Sequence, residues 1–149
     1  MDEIQVNVNN VGIVGTKSQP MPVVFLSDGS NRFVPICIGI TEAASISSAL
    51  RNEISPRPMT HDLMVSMLDT FGAAINKILI DEIDDEVYYA RLFIRVNESV
   101  KELDARPSDC LALALRTGSD IFIRETVFEK VAIDKNEMES LYKNAGEMR

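Results

Sequence analysis

His61 is the only histidine in the chain, and its neighbourhood, Arg57-Pro58-Met59-Thr60-His61-Asp62-Leu63, also holds a guanidinium and a carboxylate. A second run, Asp104-Ala105-Arg106-Pro107-Ser108-Asp109, supplies another guanidinium between two carboxylates. These residue types suit work on phosphate. The planar fork of Arg57 and Arg106 matches phosphate oxygens. His61 is the one imidazole that could act as a general base. Asp62, Asp104, Asp109 and Glu42 offer the oxygen ligands that a divalent ion such as Mg²⁺ prefers. Helix starts near Thr60 and Ser108 would add backbone N–H donors for an anion. The chemistry requires two loops distant in sequence to converge.

Each residue also has a structural explanation. Asp62 and Asp109 fall in the first turns of expected helices, where the macrodipole favours negative charge. Asp104 falls within a short extended segment before an Arg-Pro step, and an acid buried there would need Arg57 or Arg106 as partner. An Arg–Asp cross-link between the two runs is therefore expected. A histidine in a first helical turn can hydrogen-bond a neighbouring backbone group or carboxylate and fix the loop before it.

The elements that must position these residues follow from periodicity and turn chemistry. Ile4–Gly15 alternates Ile4, Val6 and Val8 with polar neighbours, a strand pattern. Pro20 and Pro22 bracket a loop, and Val23–Leu26 and Phe33–Ile38 form a hairpin about the turn cluster 27–31. Thr41 is the expected N-cap of a helix whose buried face holds Ala43, Ile46 and Leu50, and which ends at Pro56 and Pro58. A second helix, from about Thr60 to Phe71, carries the apolar stripe Leu63, Met64, Met67, Leu68 and Phe71. With that stripe as the buried side, and about 100° per residue, His61 lies at its boundary and Asp62 nearly opposite. Ile75–Ile83 and Val87–Val96 are strands about an acidic turn, and Lys101–Ala105 is extended. The helix after Pro107 is apolar nearly all round, which marks a central buried element. A strand at Ile121–Ile123 and a short helix at Glu125–Val131 follow. The strand-into-helix step at 32–50 resembles that at 99–116, with Thr41-Glu42 answering Ser108-Asp109. The pattern predicts an α+β domain over residues 1–132, with a mostly antiparallel sheet, packed helices and an internal duplication of a strand-strand-helix unit. Residues 133–149 read as a charged, helical tail.

Bulk properties bound the reading further. A length of 149 residues fits one domain that folds without a metal or disulfide. Cys37 and Cys110 each sit in apolar runs and read as small buried hydrophobes. The sequence opens on no signal peptide, and its apolar runs fall short of the roughly 20 residues of a membrane span, so a cytoplasmic protein without membrane partners is expected. A net charge of −8 counts against nucleic-acid binding, which leaves room only for a local basic groove. Tyr89, Arg91, Phe93 and Arg95 share one strand face, a pattern that could stack bases or form a subunit interface. A homo-oligomer, a dimer first, is expected. The carboxylates Asp81, Glu82, Asp84, Asp85 and Glu86 lack calcium-loop spacing and read as a solvated turn. Gly-rich phosphate loops, GxSxG, HExxH and cysteine–histidine zinc sets are absent from the sequence, so the hydrolase and nucleotide-binding classes they mark are unsupported.

Three segments in order carry a family resemblance: Pro35-Ile36-Cys37-Ile38-Gly39 leading to Glu42-Ala43-Ala44, the His61 run, and the Asp104 run continuing into Leu111-Ala112-Leu113-Ala114. Together, over roughly residues 5–130, they resemble the bifunctional nuclease family, formerly a domain of unknown function. The chain looks like a stand-alone bacterial or archaeal member, without the extra domain of some relatives. The resemblance implies hydrolysis of phosphodiester bonds in both DNA and RNA, the activity described for plant members, without strong sequence specificity. It assigns no catalytic residues. The alternative is a non-catalytic oligomeric binding or regulatory module that uses the same polar residues as braces.

Overall fold

A computed structural model describes residues 2–15 and 18–144. Strands β1 (Glu3–Gly15), β2 (Pro20–Ser27) and β3 (Arg32–Cys37) form an antiparallel meander that leads into helix α1 (Ile40–Leu50). Helix α2 (Thr60–Thr70) links this unit to a second meander of β4 (Ala73–Asp84), β5 (Val87–Val96) and β6 (Ser99–Ala105), which leads into α3 (Pro107–Thr117). The duplicated connectivity is thus a three-stranded meander followed by a helix. Strand β7 (Asp120–Arg124) joins the halves, antiparallel to β1 and parallel to β4. After α4 (Glu125–Val131), the short β8 (Ile133–Asp134) pairs with β3, and α5 (Lys135–Asn144) follows. The sheet order is β6-β5-β4-β7-β1-β2-β3-β8, the mostly antiparallel α+β arrangement expected.

The main core lies between the sheet and the helices of one face, where Val6, Leu26, Ile46, Ile78, Ile80, Leu111 and Phe128 pack together. Helix α5 covers part of the opposite face, placing Met138 and Leu141 against Val23, Phe25 and Phe33. Strand β2 is therefore buried on both sides, which explains why Val23–Leu26 reads as a continuous apolar run. The helical tail expected at 133–149 is helix over Lys135–Asn144, and residues 145–149 lie outside the described residues. Helix α3 is buried from Cys110 to Ala114, with Pro107 at its first turn and Gly118 ending it at φ +68°. Among the described residues no helix is long and apolar enough to cross a membrane.

Four local expectations need correction. Pro20 and Pro22 lie within β2 rather than a loop. The register of β3 on β2 starts at Val23, so both prolines sit where β1 is the paired neighbour. The N-cap of α1 is Gly39, whose ψ of 165° is extended, while the Thr41 hydroxyl donates to Glu42. Cys37 is exposed, because it ends β3 on the face opposite Ile36; Cys110 is buried as expected. The largest correction is the rotation of α2. Leu63, Met67 and Phe71 are 54%, 51% and 76% exposed, whereas His61 is only 8% exposed and Val65 and Leu68 pack on the core. Polar anchors on the inner side set this rotation against the apolar stripe.

Candidate functional site

Pro107 starts α3 and leaves Arg106 at the N-cap and Asp109 in the first turn. At that spacing Arg106 Nε and Nη2 donate to Asp109 Oδ2 and Oδ1 at 2.9 and 3.2 Å. Across the helix interface, His61 Nε2 lies 2.9 Å from Asp109 Oδ1, and His61 Nδ1 lies 2.7 Å from Ser45 Oγ. A neutral imidazole protonated on Nε2 satisfies both contacts: Nε2–H donates to the carboxylate, and Nδ1 accepts from the Ser45 hydroxyl. Asp62 completes the corner. Its Oδ2 accepts from the Met59 backbone N–H at 3.0 Å, and its Oδ1 accepts from Arg116 Nε at 2.8 Å. Arg116 also donates to the carbonyls of Ala112 and Ser45. Helices α1, α2 and α3 are thereby tied at one place by charge-assisted hydrogen bonds, the strong kind.

The electrostatics follow from these partners. Burial alone would push the Asp109 carboxyl up, but hydrogen bonds from Arg106 and His61 and the nearby guanidinium hold it below its ordinary range. The Arg116 hydrogen bond, then that from Met59, holds Asp62 low as well. Both carboxyls titrate below the roughly 3.9 of an unfolded aspartate. Their contribution to stability is complete above that value and is lost as pH falls through the lower folded values. Denaturant melts from about pH 6 to about pH 2.5 should show stability declining below about pH 4. Asp109→Asn should make that decline shallower, and an unchanged slope would contradict the coupling.

Two concavities flank Arg106. One, of about 540 Å³, is lined by Asp104, Arg106 and Asp109 together with Met64, Tyr88 and Leu103. The other, of about 850 Å³, is lined by Glu42, Arg106 and Ser108 together with Cys37, Gly39 and Tyr88. Arg106 stands between them with a side chain 65% exposed, and its Nη1 makes no hydrogen bond among the described residues. Burial, then the neighbouring Cys37, pushes the Tyr88 hydroxyl up to about 12, and it donates to the Pro35 carbonyl.

The candidates thus separate into groups. Asp104, Arg106 and Asp109 share one groove, with His61 behind Asp109. Glu42 is in the adjoining concavity, and Asp62 is turned to Arg116. Arg57 is exposed, lines neither concavity and forms no ion pair among the described residues. The Arg–Asp cross-link expected at Asp104 is not formed. Arg106 is held by Asp109 on its own helix, and Asp104, exposed at the end of β6, needs no partner. The links between the two sequence runs are instead His61–Asp109 and, farther along α3, Asp62–Arg116. Asp62, Asp104, Asp109 and Glu42 do not form one ligand cage; among the described residues no three His, Cys, Asp or Glu side chains converge to hold a metal. Ser45 and Arg116 are the members that sequence reasoning missed. Arg116 follows Asp109 by seven residues and so shares its face of α3, a usable signal; Ser45 offered only its place on the polar side of α1.

The strand face of Tyr89, Arg91, Phe93 and Arg95 carries no free basic stripe. Arg91 is bonded to Asp81 and Glu102, Arg95 is bonded to Asn76, and Lys77 lies over the rings of Phe93 and Phe122.

Comparison with known proteins adds a second line of observation. The model of the bifunctional nuclease domain matches residues 23–136, a span that holds Ser45, His61, Asp104, Arg106, Asp109 and Arg116. An uncharacterised protein of Mycobacterium tuberculosis is 34% identical over 134 residues, covering 89% of this chain and 77% of that protein. Bifunctional nuclease 1 of Oryza sativa subsp. japonica is 32% identical over 97 residues, covering 63% of this chain and 29% of the rice protein. Bifunctional nuclease 2 of the same plant is 29% identical over 116 residues, or 74% of this chain and 36% of the plant protein. The chain therefore spans about a third of the length of these plant relatives.

Proposed function

The chain belongs to the bifunctional nuclease domain family, and from that premise we propose that it hydrolyses phosphodiester bonds of DNA and RNA, without strong sequence specificity, in the groove shared by Asp104, Arg106 and Asp109. The observation that carries this reading is the meeting of those three side chains, with the single histidine buttressing one of them. Hydrolysis adds water across a P–O bond: the water oxygen bonds to phosphorus as the bond to the leaving oxygen breaks, and that oxygen takes up a proton from solvent at the open groove. The exposed Asp104 carboxylate accepts the proton of the attacking water. The Nη1 edge of Arg106 bonds a phosphate oxygen and neutralises charge that builds in the transition state. Asp109 orients the guanidinium, and His61 orients Asp109, so His61 is a positioning residue. Both Asp109 oxygens are bonded to Arg106 and one also to His61, so of the groove's two carboxylates Asp104 is the one that would hold a Mg²⁺ ion together with substrate phosphate; when bound, the ion would supply Lewis-acid assistance.

Cleavage of end-labelled single-stranded RNA and DNA, with and without Mg²⁺, tests the reading. Asp104→Asn should slow cleavage by about 10²-fold or more, and His61→Ala should slow it as well by releasing Asp109. Parental rates in both variants would remove the groove from the mechanism. A parent inactive under every metal condition would favour the second reading, a non-catalytic binding or regulatory module. That reading draws on one specific observation: both ring nitrogens of His61 are spent on Ser45 and Asp109, as in a brace.

A further inference from the structure

The two meander-into-helix junctions of the duplicated fold meet at one place. Gly39 and Glu42 of the first, and Arg106, Pro107 and Ser108 of the second, line the concavity of about 850 Å³. That volume falls within the ~300–1,000 Å³ of small-molecule sites. Ile38, Val87 and Tyr88 give it an apolar wall. The helix starts give it a polar one. The backbone N–H groups of Ser108 and Asp109 precede the first intrahelical hydrogen bond of α3, from Cys110 N–H to the Arg106 carbonyl, and no side chain caps this helix. Ser108 adds an independent observation. It is only 6% exposed and lines the concavity, yet its hydroxyl has no hydrogen-bond partner among the described residues. Buried hydroxyls are ordinarily bonded, so one left open toward a concavity marks a place for a ligand atom.

We propose that this concavity binds a nucleoside carrying one phosphate, with the phosphate between Arg106, the Ser108 hydroxyl and the first amides of α3, and the base on the apolar wall. The inference rests on the reading of Arg106 as the phosphate-binding group. Arg106 borders both concavities, so a phosphate held there has the Asp104 groove on one side and the larger space on the other. One nucleoside attached to that phosphate then falls into the larger space. Every base has an apolar face, so the wall of Ile38, Val87 and Tyr88 accepts any of them. Charge limits the ligand to a single phosphate. Glu42 and Glu86 also border the concavity. Glu42 Oε2 accepts from the Thr41 hydroxyl, which leaves Oε1 to accept from a sugar hydroxyl or a base N–H. A second phosphate would meet these carboxylates as a like charge.

Calorimetric titration with adenosine monophosphate tests the inference independently of cleavage. The parent should bind it at least about tenfold more tightly than inorganic phosphate, adenosine or adenosine diphosphate. Ser108→Ala should weaken that binding by about tenfold, with an unchanged circular dichroism spectrum. Glu42→Gln should narrow the preference over the diphosphate. Arg57→Ala, outside both concavities, should bind as the parent does. In methyl NMR spectra of the parent, Ile38 should shift on adding the monophosphate more than Met64 of the neighbouring groove. Binding no tighter than that of inorganic phosphate, parental affinity in Ser108→Ala, or shifts confined to Met64 would overturn the inference. Binding by a protein that cleaves no nucleic acid would keep the inference and remove the hydrolysis reading. Cleavage without such binding would do the reverse.

Discussion

Replacing Arg106 with alanine is expected to slow cleavage by about 10²–10³-fold while changing stability by no more than about 1 kcal/mol. The two effects separate because of where the side chain sits. Its ion pair with Asp109 is at the surface, so screening by solvent limits what the pair adds to folding. Its Nη1, which makes no hydrogen bond among the described residues, is the edge proposed to meet substrate charge, and the side chain lines a groove together with Leu103 and Tyr88. Arg106→Lys should rescue little. An ammonium is a point charge and cannot bond Asp109 with one edge while offering another to phosphate. Initial rates and thermal melts of both variants provide the check, and a parental rate in Arg106→Ala would exclude the assigned role.

Leu111→Ala should be the most destabilising single truncation near the site, at about 3–5 kcal/mol. Leu111 is fully buried in α3, within the main core between sheet and helices. Removing most of its side chain forfeits transfer free energy and leaves a cavity that close-packed neighbours only partly fill. The same helix carries Arg106, Asp109 and Arg116, so loosening it should lower activity through position alone. Chemical denaturation reads the loss directly, and a change under about 1 kcal/mol would mean that α3 is not the central packed element.

What could be read from sequence depended on how local its causes are. The alternation of β1, the doubly buried run of β2 and the all-round apolar α3 follow from residues within each element. The rotation of α2 does not. Periodicity identified its apolar stripe, but His61 and Asp62 find partners 48 and 54 residues away, at Asp109 and Arg116. A hydrogen-bonded, partly buried charge left unpaired costs more than an exposed leucine, so the polar anchors turned the helix. The site divides the same way. The Arg106–Asp109 pair is local, three residues apart on one helical turn, and its geometry is set by Pro107. The expected pairing of Asp104 failed because β6 ends just before that turn, and the helix supplied a nearer acid. Ser45 joins only through tertiary packing of α1 on α3, which no local pattern encodes. The exposure of Cys37 was legible in principle, since β3 alternates and Ile36 takes the inward position.

The most direct measurement is the cleavage rate of the double variant Asp104→Asn/Arg106→Ala on a labelled RNA oligonucleotide, beside both single variants and the parent. Residues that act in one transition state lose their effects non-additively. The groove predicts two slow single variants and a double variant within about threefold of the slower one. Single variants at the parental rate, or losses that multiply in the double variant as for two independent sites, would contradict it.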